Sequence, residues 1–178
     1  MKKLNRKGFT LIELLAVIVI LAIIVVVTVP TIINTINDAR KQSIWNLAGS
    51  LANSYDTTIA QDLLASSPAI PVANRATGTW ACINDTIAKK LDISSADVNL
   101  TGTNGVSTSV PLTGAKIDVS KITNTTCSAI RTNGSGAAEV LLVATTTGKF
   151  NISGKVVYAL STGSGAEEVE PPKNTQTN

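Results

Sequence analysis

One charged side chain stands inside the most apolar stretch of the chain. Residues 8–29 read GFTLIELLAVIVILAIIVVVTV, and Glu13 is the only charged residue among them. An acidic side chain at the centre of a membrane-spanning helix costs about 2.5–3.5 kcal/mol, and somewhat less near its end. Because no neighbour in the sequence neutralises Glu13, we expect its partner to lie on another chain. This position therefore predicts assembly as well as membrane anchoring.

The two cysteines, Cys82 and Cys127, both lie outside the apolar run. On the non-cytoplasmic side of a membrane such a pair is usually a disulfide, and the alternative is two buried or free thiols. Closing a loop of about 45 residues would stabilise the fold by roughly 4 kcal/mol on the chain-entropy estimate. We therefore predict a Cys82–Cys127 disulfide.

The residues that usually carry catalysis are missing from the sequence. There is no histidine, which removes the commonest general base and metal ligand. No phosphate-binding glycine loop, zinc-spaced cysteine set or nucleophile elbow occurs, and the aspartates lack calcium-loop spacing. The sequence predicts no enzyme activity, no cofactor and no metal site.

Charge and aromatic content argue against nucleic acid as a direct ligand. Four of the fifteen basic residues lie in the first seven positions, and the other eleven face twelve acidic residues. Aromatic residues make up only 3% of the chain, too few for a platform on which bases stack.

The apolar run needs a helix to position it. About 21 residues, from Phe9 to Val29, span about 31 Å as a helix, enough to cross a hydrocarbon core. The basic residues among the first seven positions form a leader, which predicts that the N-terminus stays in the cytoplasm and that the bulk of the chain lies outside. No A-x-A-like cleavage site follows the run. An ordinary single-pass signal anchor is the alternative.

Residues 7–15, KGFTLIELL, resemble the N-terminal motif of type IV pilins and pseudopilins. The resemblance covers about the first 40 residues. It implies that a prepilin peptidase cuts after Gly8 and methylates the new amine of Phe9. It further implies a "lollipop" subunit that forms a helical homopolymer, with a pilus assembly platform and minor pilins as partners.

In a staggered stack of parallel helices, Glu13 of one subunit could meet the Phe9 amine of its neighbour, and we hypothesise that this pair sets the subunit register. Many relatives have a glycine midway along the helix, where this chain has Ala22. Pro30 is present, and it deprives the Val26 carbonyl of its helical donor. Local unwinding between Ala22 and Pro30 and a straight span with a proline kink both stay open.

Beyond Pro30 an amphipathic pattern predicts a helical spine that ends near Ser66-Ser67-Pro68. Arg40 lies on its apolar side, where it predicts a subunit contact, a snorkelling side chain or an edge of the head. Asn84 to Leu91 predicts a short helix with Asn84 as its cap. Apolar alternation predicts three or four antiparallel strands that bury one sheet face on the spine and leave the other face exposed. These strands fall at 116–119, 139–144, 149–152 and 155–160.

The predicted organisation is α+β, with a long kinked helix packed on this sheet. Its segments are a leader (1–8), a transmembrane and assembly helix (9–30), an amphipathic spine (31–66), a globular head (67–163) and a flexible tail with solvated glutamates (164–178).

The predicted function is a structural subunit, the major pilin, of a type IV pilus that serves adhesion, motility or DNA uptake. It would be a single-pass membrane protein before assembly and extracellular afterwards. The alternative is a pseudopilin of a secretion or competence system. A plain membrane-tethered adhesin would keep its leader uncleaved.

Overall fold

The computed structural model describes residues 9–64, 70, 77–102, 117 and 119–170. The chain divides into two compact units, residues 1–38 and 39–178. The first contains the apolar half of helix α1 (Leu11–Asp62). The second, which we call the head, contains the rest of α1 and all of the strands.

Helix α1 includes Pro30, and every residue from Ala22 to Pro30 is helical. The local unwinding that the sequence left open is therefore absent from this segment. The β-branched residues before Pro30 have low helix propensity. The helix nevertheless continues, because proline removes only one interior hydrogen bond, the one to the Val26 carbonyl. The helix ends at Asp62, four residues before the predicted end at Ser66.

The head contains a five-stranded antiparallel sheet with its strands in chain order. The strands are β1 (Ala81–Cys82), β2 (Ala129–Thr132), β3 (Ala138–Val143), β4 (Val156–Leu160) and β5 (Ala166–Val169). The predicted α+β class is confirmed, and the predicted strands near 139–144 and 155–160 are β3 and β4. The strand number was underestimated, because β1, β2 and β5 were not predicted; all three are short, and β5 is acidic.

Two other predicted strands do not form. At 149–152 only Ile152 pairs, in an isolated bridge with Lys155, because Ser153 and Gly154 have positive φ angles and turn the chain back at once. At 116–119, Ile117 is not in a strand and Val119 begins a 3-10 turn (Val119–Lys121); positions 116 and 118 lie outside the described residues.

Helix α2 (Asp85–Lys90) confirms the predicted short helix. The Asn84 side chain accepts a hydrogen bond from the Ile87 amide at 2.9 Å, as a cap should. Lys89 and Lys90 lie in its last turn, where cations suit the helix dipole.

Both faces of the sheet are buried, which corrects the prediction of one exposed face. In β3, Val140 and Leu142 join the core against α1, where they meet Ile44 and Tyr55. The alternate residues Leu141 and Val143 join a second cluster on the other face, which Trp80, Ile117 and Ile122 cover. The covering residues are far apart in the sequence, so no local pattern predicted them.

Strand β5 also corrects the predicted flexible tail, since residues 166–169 pair with β4. Nor are its glutamates only solvated charges. Glu168 forms an ion pair with Lys41 on α1, with 2.6 Å between the ammonium and carboxylate atoms, and lies 3.6 Å from the Lys155 ammonium. Glu167 accepts a hydrogen bond from the Tyr158 hydroxyl at 2.6 Å.

Candidate processing and assembly segment

Helix α1 begins with a capping box formed by Thr10 and Glu13. The Glu13 amide donates to the Thr10 hydroxyl at 3.3 Å, and the Glu13 carboxylate accepts from the Thr10 amide at 2.8 Å. The Thr10 hydroxyl also donates to the same carboxylate at 2.7 Å. A threonine followed three residues later by glutamate is the sequence signature of this motif. It fixes the start of the helix at Leu11.

The capping box gives Glu13 a hydrogen-bond partner in its own chain, which was not predicted from the sequence. Both hydrogen bonds from Thr10 reach Oε2 of the carboxylate, and Oε1 has no hydrogen bond to any residue that the structure describes. Thr10 supplies no positive charge, so no described residue neutralises the carboxylate. One oxygen serves the helix cap, and the other has no hydrogen-bond partner in the described part of the chain.

The predicted cleavage site lies at the edge of the described chain. Gly8 is outside the described residues. Phe9 precedes the helix, and 88% of its surface is exposed.

The apolar half of α1 has no buried side chain along its described length. Every residue from Phe9 to Ile36 is exposed, including Leu11, Val26 and Ile33 at 83%, 73% and 51%. By length and composition α1 can cross a membrane, and no part of its most apolar window is buried. An apolar surface this large and continuous marks a membrane or protein interface.

Arg40 and Trp45 lie on the part of α1 that belongs to the head. The Arg40 guanidinium donates to the Asn151 carbonyl at 2.9 Å, so this arginine holds a loop of its own head. The Trp45 indole donates to the Gly163 carbonyl at 3.1 Å. Together with the Lys41–Glu168 pair, these contacts attach the loop before β4, the β4–β5 turn and β5 to the helix.

The electrostatics of the head come from a few ion pairs. The Lys41 ammonium lowers the pKa of Glu168 against an opposing effect of burial. The Lys149 ammonium, 2.8 Å from Asp97, lowers the pKa of that carboxyl. Burial, followed by the Glu167 carboxylate, raises the pKa of Tyr158. These shifts arise from burial and from ion pairs and hydrogen bonds within the head. Within the described residues, no group of three or more His, Cys, Asp or Glu could hold a metal.

Arg131 and Glu139 form the most buried ion pair in the described chain, at 2.5 Å. They face each other across β2 and β3, and the Arg131 guanidinium lies 4.6 Å from the centre of the Trp80 ring. The pair therefore helps to hold Trp80 over the outer face of the sheet. Buried arginine and glutamate invite a catalytic interpretation, but they satisfy each other.

The structure contains the predicted Cys82–Cys127 disulfide, with Cα atoms 5.7 Å apart. Cys82 ends β1 and Cys127 precedes β2, so the bond joins neighbouring chain segments at the edge of the sheet. Asn99 closes the enclosed loop further, since its amide donates to the carbonyls of Asn124 and Thr126 at 2.8 and 3.0 Å.

Sequence reasoning missed Thr10. The T-x-x-E spacing is the signature of a capping box, but the cost of Glu13 in a membrane favoured partners on other chains. The missed contacts of Lys41 and Trp45 had no signal in the sequence, because their partners are more than 110 residues away.

Comparison with known proteins places the N-terminal segment in a family. Residues 3–29 match the family described as the prokaryotic N-terminal methylation motif. No curated protein and no solved structure gives a significant match to the chain. The match covers the leader, the capping box and most of the apolar helix, and the rest of the chain is outside it. The chain therefore carries an N-terminal methylation motif, the class III signal peptide, which supports a type IV pilin or pseudopilin.

Proposed function

We propose that this chain is the major subunit of a type IV pilus, and that it polymerises through the apolar half of α1. The observation that carries the proposal is the combination of a methylation motif with an apolar helix whose every residue from 9 to 36 is exposed. A chain with this surface needs lipid or other copies of itself around the helix. The head is built around its own core, so it can face water while the helices pack.

Processing comes first in the proposed sequence of events. The basic leader holds the N-terminus in the cytoplasm, and a prepilin peptidase hydrolyses the Gly8–Phe9 peptide bond. The new amine of Phe9 is then methylated and remains a cation. The precursor is a single-pass membrane protein at this stage, and it becomes extracellular when it joins the filament.

Glu13 then sets the register between neighbours. Its Oε2 keeps the hydrogen bonds from Thr10 in the capping box. Its Oε1 accepts a hydrogen bond from the Phe9 ammonium of an adjacent subunit. In a dry helix bundle, pairing offsets the cost of burying both charges, and a misaligned neighbour would leave both unpaired. This difference in energy between paired and unpaired charges selects one axial register between neighbouring subunits.

The hydrophobic effect alone does not extract the helix from the membrane, because lipid tails are as apolar as the side chains of other subunits. Packing and the Glu13–Phe9 pair favour the filament over the bilayer. Once the fibre extends into water, each exposed aliphatic side chain would cost about 1.5–3 kcal/mol to return to solvent. The assembled polymer is therefore stable outside the cell.

The function is tested by shearing cells and analysing the released fibres by mass spectrometry. We expect abundant long fibres composed of this chain, beginning at methylated Phe9. Methylated Phe9 confined to the cell envelope would instead support a pseudopilin. An intact Met1 in the surface protein would contradict both functions and support a tethered adhesin.

The role of Glu13 is tested by Glu13→Gln, which keeps the shape of the side chain and removes its charge. We expect cleavage after Gly8 to continue and the yield of fibres to fall by at least tenfold, since losing a buried ion pair costs about 3–5 kcal/mol. Asp38→Asn is the matched control, because it makes the same change on the same helix beyond the apolar segment. Normal fibre yield from Glu13→Gln would contradict the register role.

A further inference from the structure

The exposed side of α1 in the head has a cleft floored by a glycine. Trp45, Asn46, Gly49, Ser50 and Ser161 line this cleft, whose volume is 170 Å³. Four of these residues lie on two successive turns of α1, and Ser161 follows β4. The indole of Trp45 is held by its hydrogen bond to Gly163, so this wall is fixed. We call this feature the Gly49 cleft.

The packing of the head does not require a glycine at this position. A Cβ atom built on Gly49 meets no atom within 4 Å, and the residue is inside a regular helix. After proline, glycine is the least favourable residue in a helix interior. Most other residues would favour the helix more at this position, so the described packing of the head does not explain the glycine.

The same head presents an apolar pair that nothing in the described chain covers. Leu63 and Leu64 follow the end of α1 and are 75% and 92% exposed. Among the other large apolar side chains of the described head, only Val119 is exposed, at 41%. Two adjacent leucines in water form a small apolar knob of the kind that protein interfaces bury.

We propose that the Leu63–Leu64 pair of one copy of this chain docks in the Gly49 cleft of another copy. The inference rests on the proposed function, since it describes a contact between subunits of the polymer. Glycine lets the incoming leucine approach the helix backbone, and the Trp45 ring supplies apolar surface beside it.

The positions of the knob and the cleft suit a fibre. They are 15 residues apart, about 22 Å along a helix at 1.5 Å per residue, so one chain cannot satisfy itself. A contact that joins two different patches is heterologous, and repetition of such a contact gives an open polymer unless the rotation closes a ring. Each subunit then both presents a knob and receives one.

Cysteine crosslinking tests the contact directly. In a chain with Gly49→Cys and Leu64→Cys, the two new thiols are too far apart to join within one subunit. We expect mild oxidation of intact fibres to give a ladder of covalent multimers on non-reducing gels, collapsed by reductant. Each single cysteine variant is a control, because alone it can form no ladder. Fibres that give no ladder would overturn the inference.

A second test separates assembly from stability. Gly49→Gln fills the cleft with a polar side chain and should raise the melting temperature of the head by about 3 °C, because glutamine favours the helix. The fibre yield should nevertheless fall by about tenfold. Asn53→Gln, one turn further along α1 and outside the cleft, should leave the yield unchanged. Leu64→Gln should lower the yield as Gly49→Gln does, without destabilising the head.

The outcomes distinguish this inference from the pilus function. If the unaltered chain forms no fibres, the proposed function fails and this contact fails with it. If fibres form and Gly49→Gln assembles as well as Asn53→Gln, the contact alone is wrong. If Gly49→Gln raised the melting temperature of the head and lowered the fibre yield, the contact would be supported, because a glycine needed only for the fold would not give both results.

Discussion

The two units of this chain use apolar residues in opposite ways. In the apolar half of α1 every residue from 9 to 36 is exposed. In the head, all six residues of β3 are buried, because the sheet is covered on both faces. The head completes its core with its own residues, whereas the apolar helix has no core partner among the described residues. Mutations should therefore act on folding in one unit and on assembly in the other.

The largest effect on folding should come from removing the disulfide. Cys82→Ser with Cys127→Ser should lower the free energy of unfolding of the head by about 4 kcal/mol, because it releases a loop of 45 residues. Denaturant unfolding followed by tryptophan fluorescence measures this. The unaltered chain in reductant is the control and should behave like the variant. Equal stability with and without reductant would contradict the prediction.

A pair of matched leucine truncations tests the contrast itself. Leu142 is fully buried in the head, and Leu21 is 54% exposed on the apolar helix. Leu142→Ala should lower the free energy of unfolding of the head by about 3 kcal/mol, through lost burial and a cavity. Leu21→Ala should leave it unchanged in detergent. Destabilisation of the head by Leu21→Ala would show that the two units do not fold independently.

The smallest effect concerns the surface ion pair between Lys41 and Glu168. Because Lys41 lowers the pKa of Glu168 below its ordinary value of 4.5, the pair stabilises the head fully above that pH. The stabilisation is lost as the pH falls through the lowered pKa. Glu168→Gln should therefore reduce the loss of stability on acidification from about pH 7 to about pH 3, by less than about 1 kcal/mol.

Urea unfolding at the two pH values measures this difference. Glu170→Gln is the matched control, because Glu170 is exposed and belongs to neither ion pair. If Glu168→Gln and Glu170→Gln had the same acid sensitivity, the Lys41 pair would contribute nothing to the head.

Local patterns predicted the elements whose causes are local. The apolar run, the Asn84 cap and the alternation in β3 and β4 each depend on neighbours within a few residues, and all were predictable. The Cys82–Cys127 pair was predictable because only two cysteines exist. The Thr10–Glu13 capping box was equally local and was still missed, because a charge in an apolar run suggested only a distant partner.

The remaining features depend on contacts between distant residues. Strand β5 is too short and too acidic to be recognised, and it forms because β4 offers an edge and Lys41 holds Glu168. Trp80 and Ile122 cover the outer sheet face although more than 40 residues separate them. Such contacts depend on how the chain returns on itself, which no periodicity records.

The amino-acid sequence alone therefore determined the membrane-length helix, its processing motif and the charge at its start, because each is a property of consecutive residues. Only the tertiary structure decided that the sheet has two buried faces, that β5 pairs with β4, and that a cleft at Gly49 faces outward. Burial and hydrogen bonding are pairwise properties of atoms in space, so they exist only once the chain has folded.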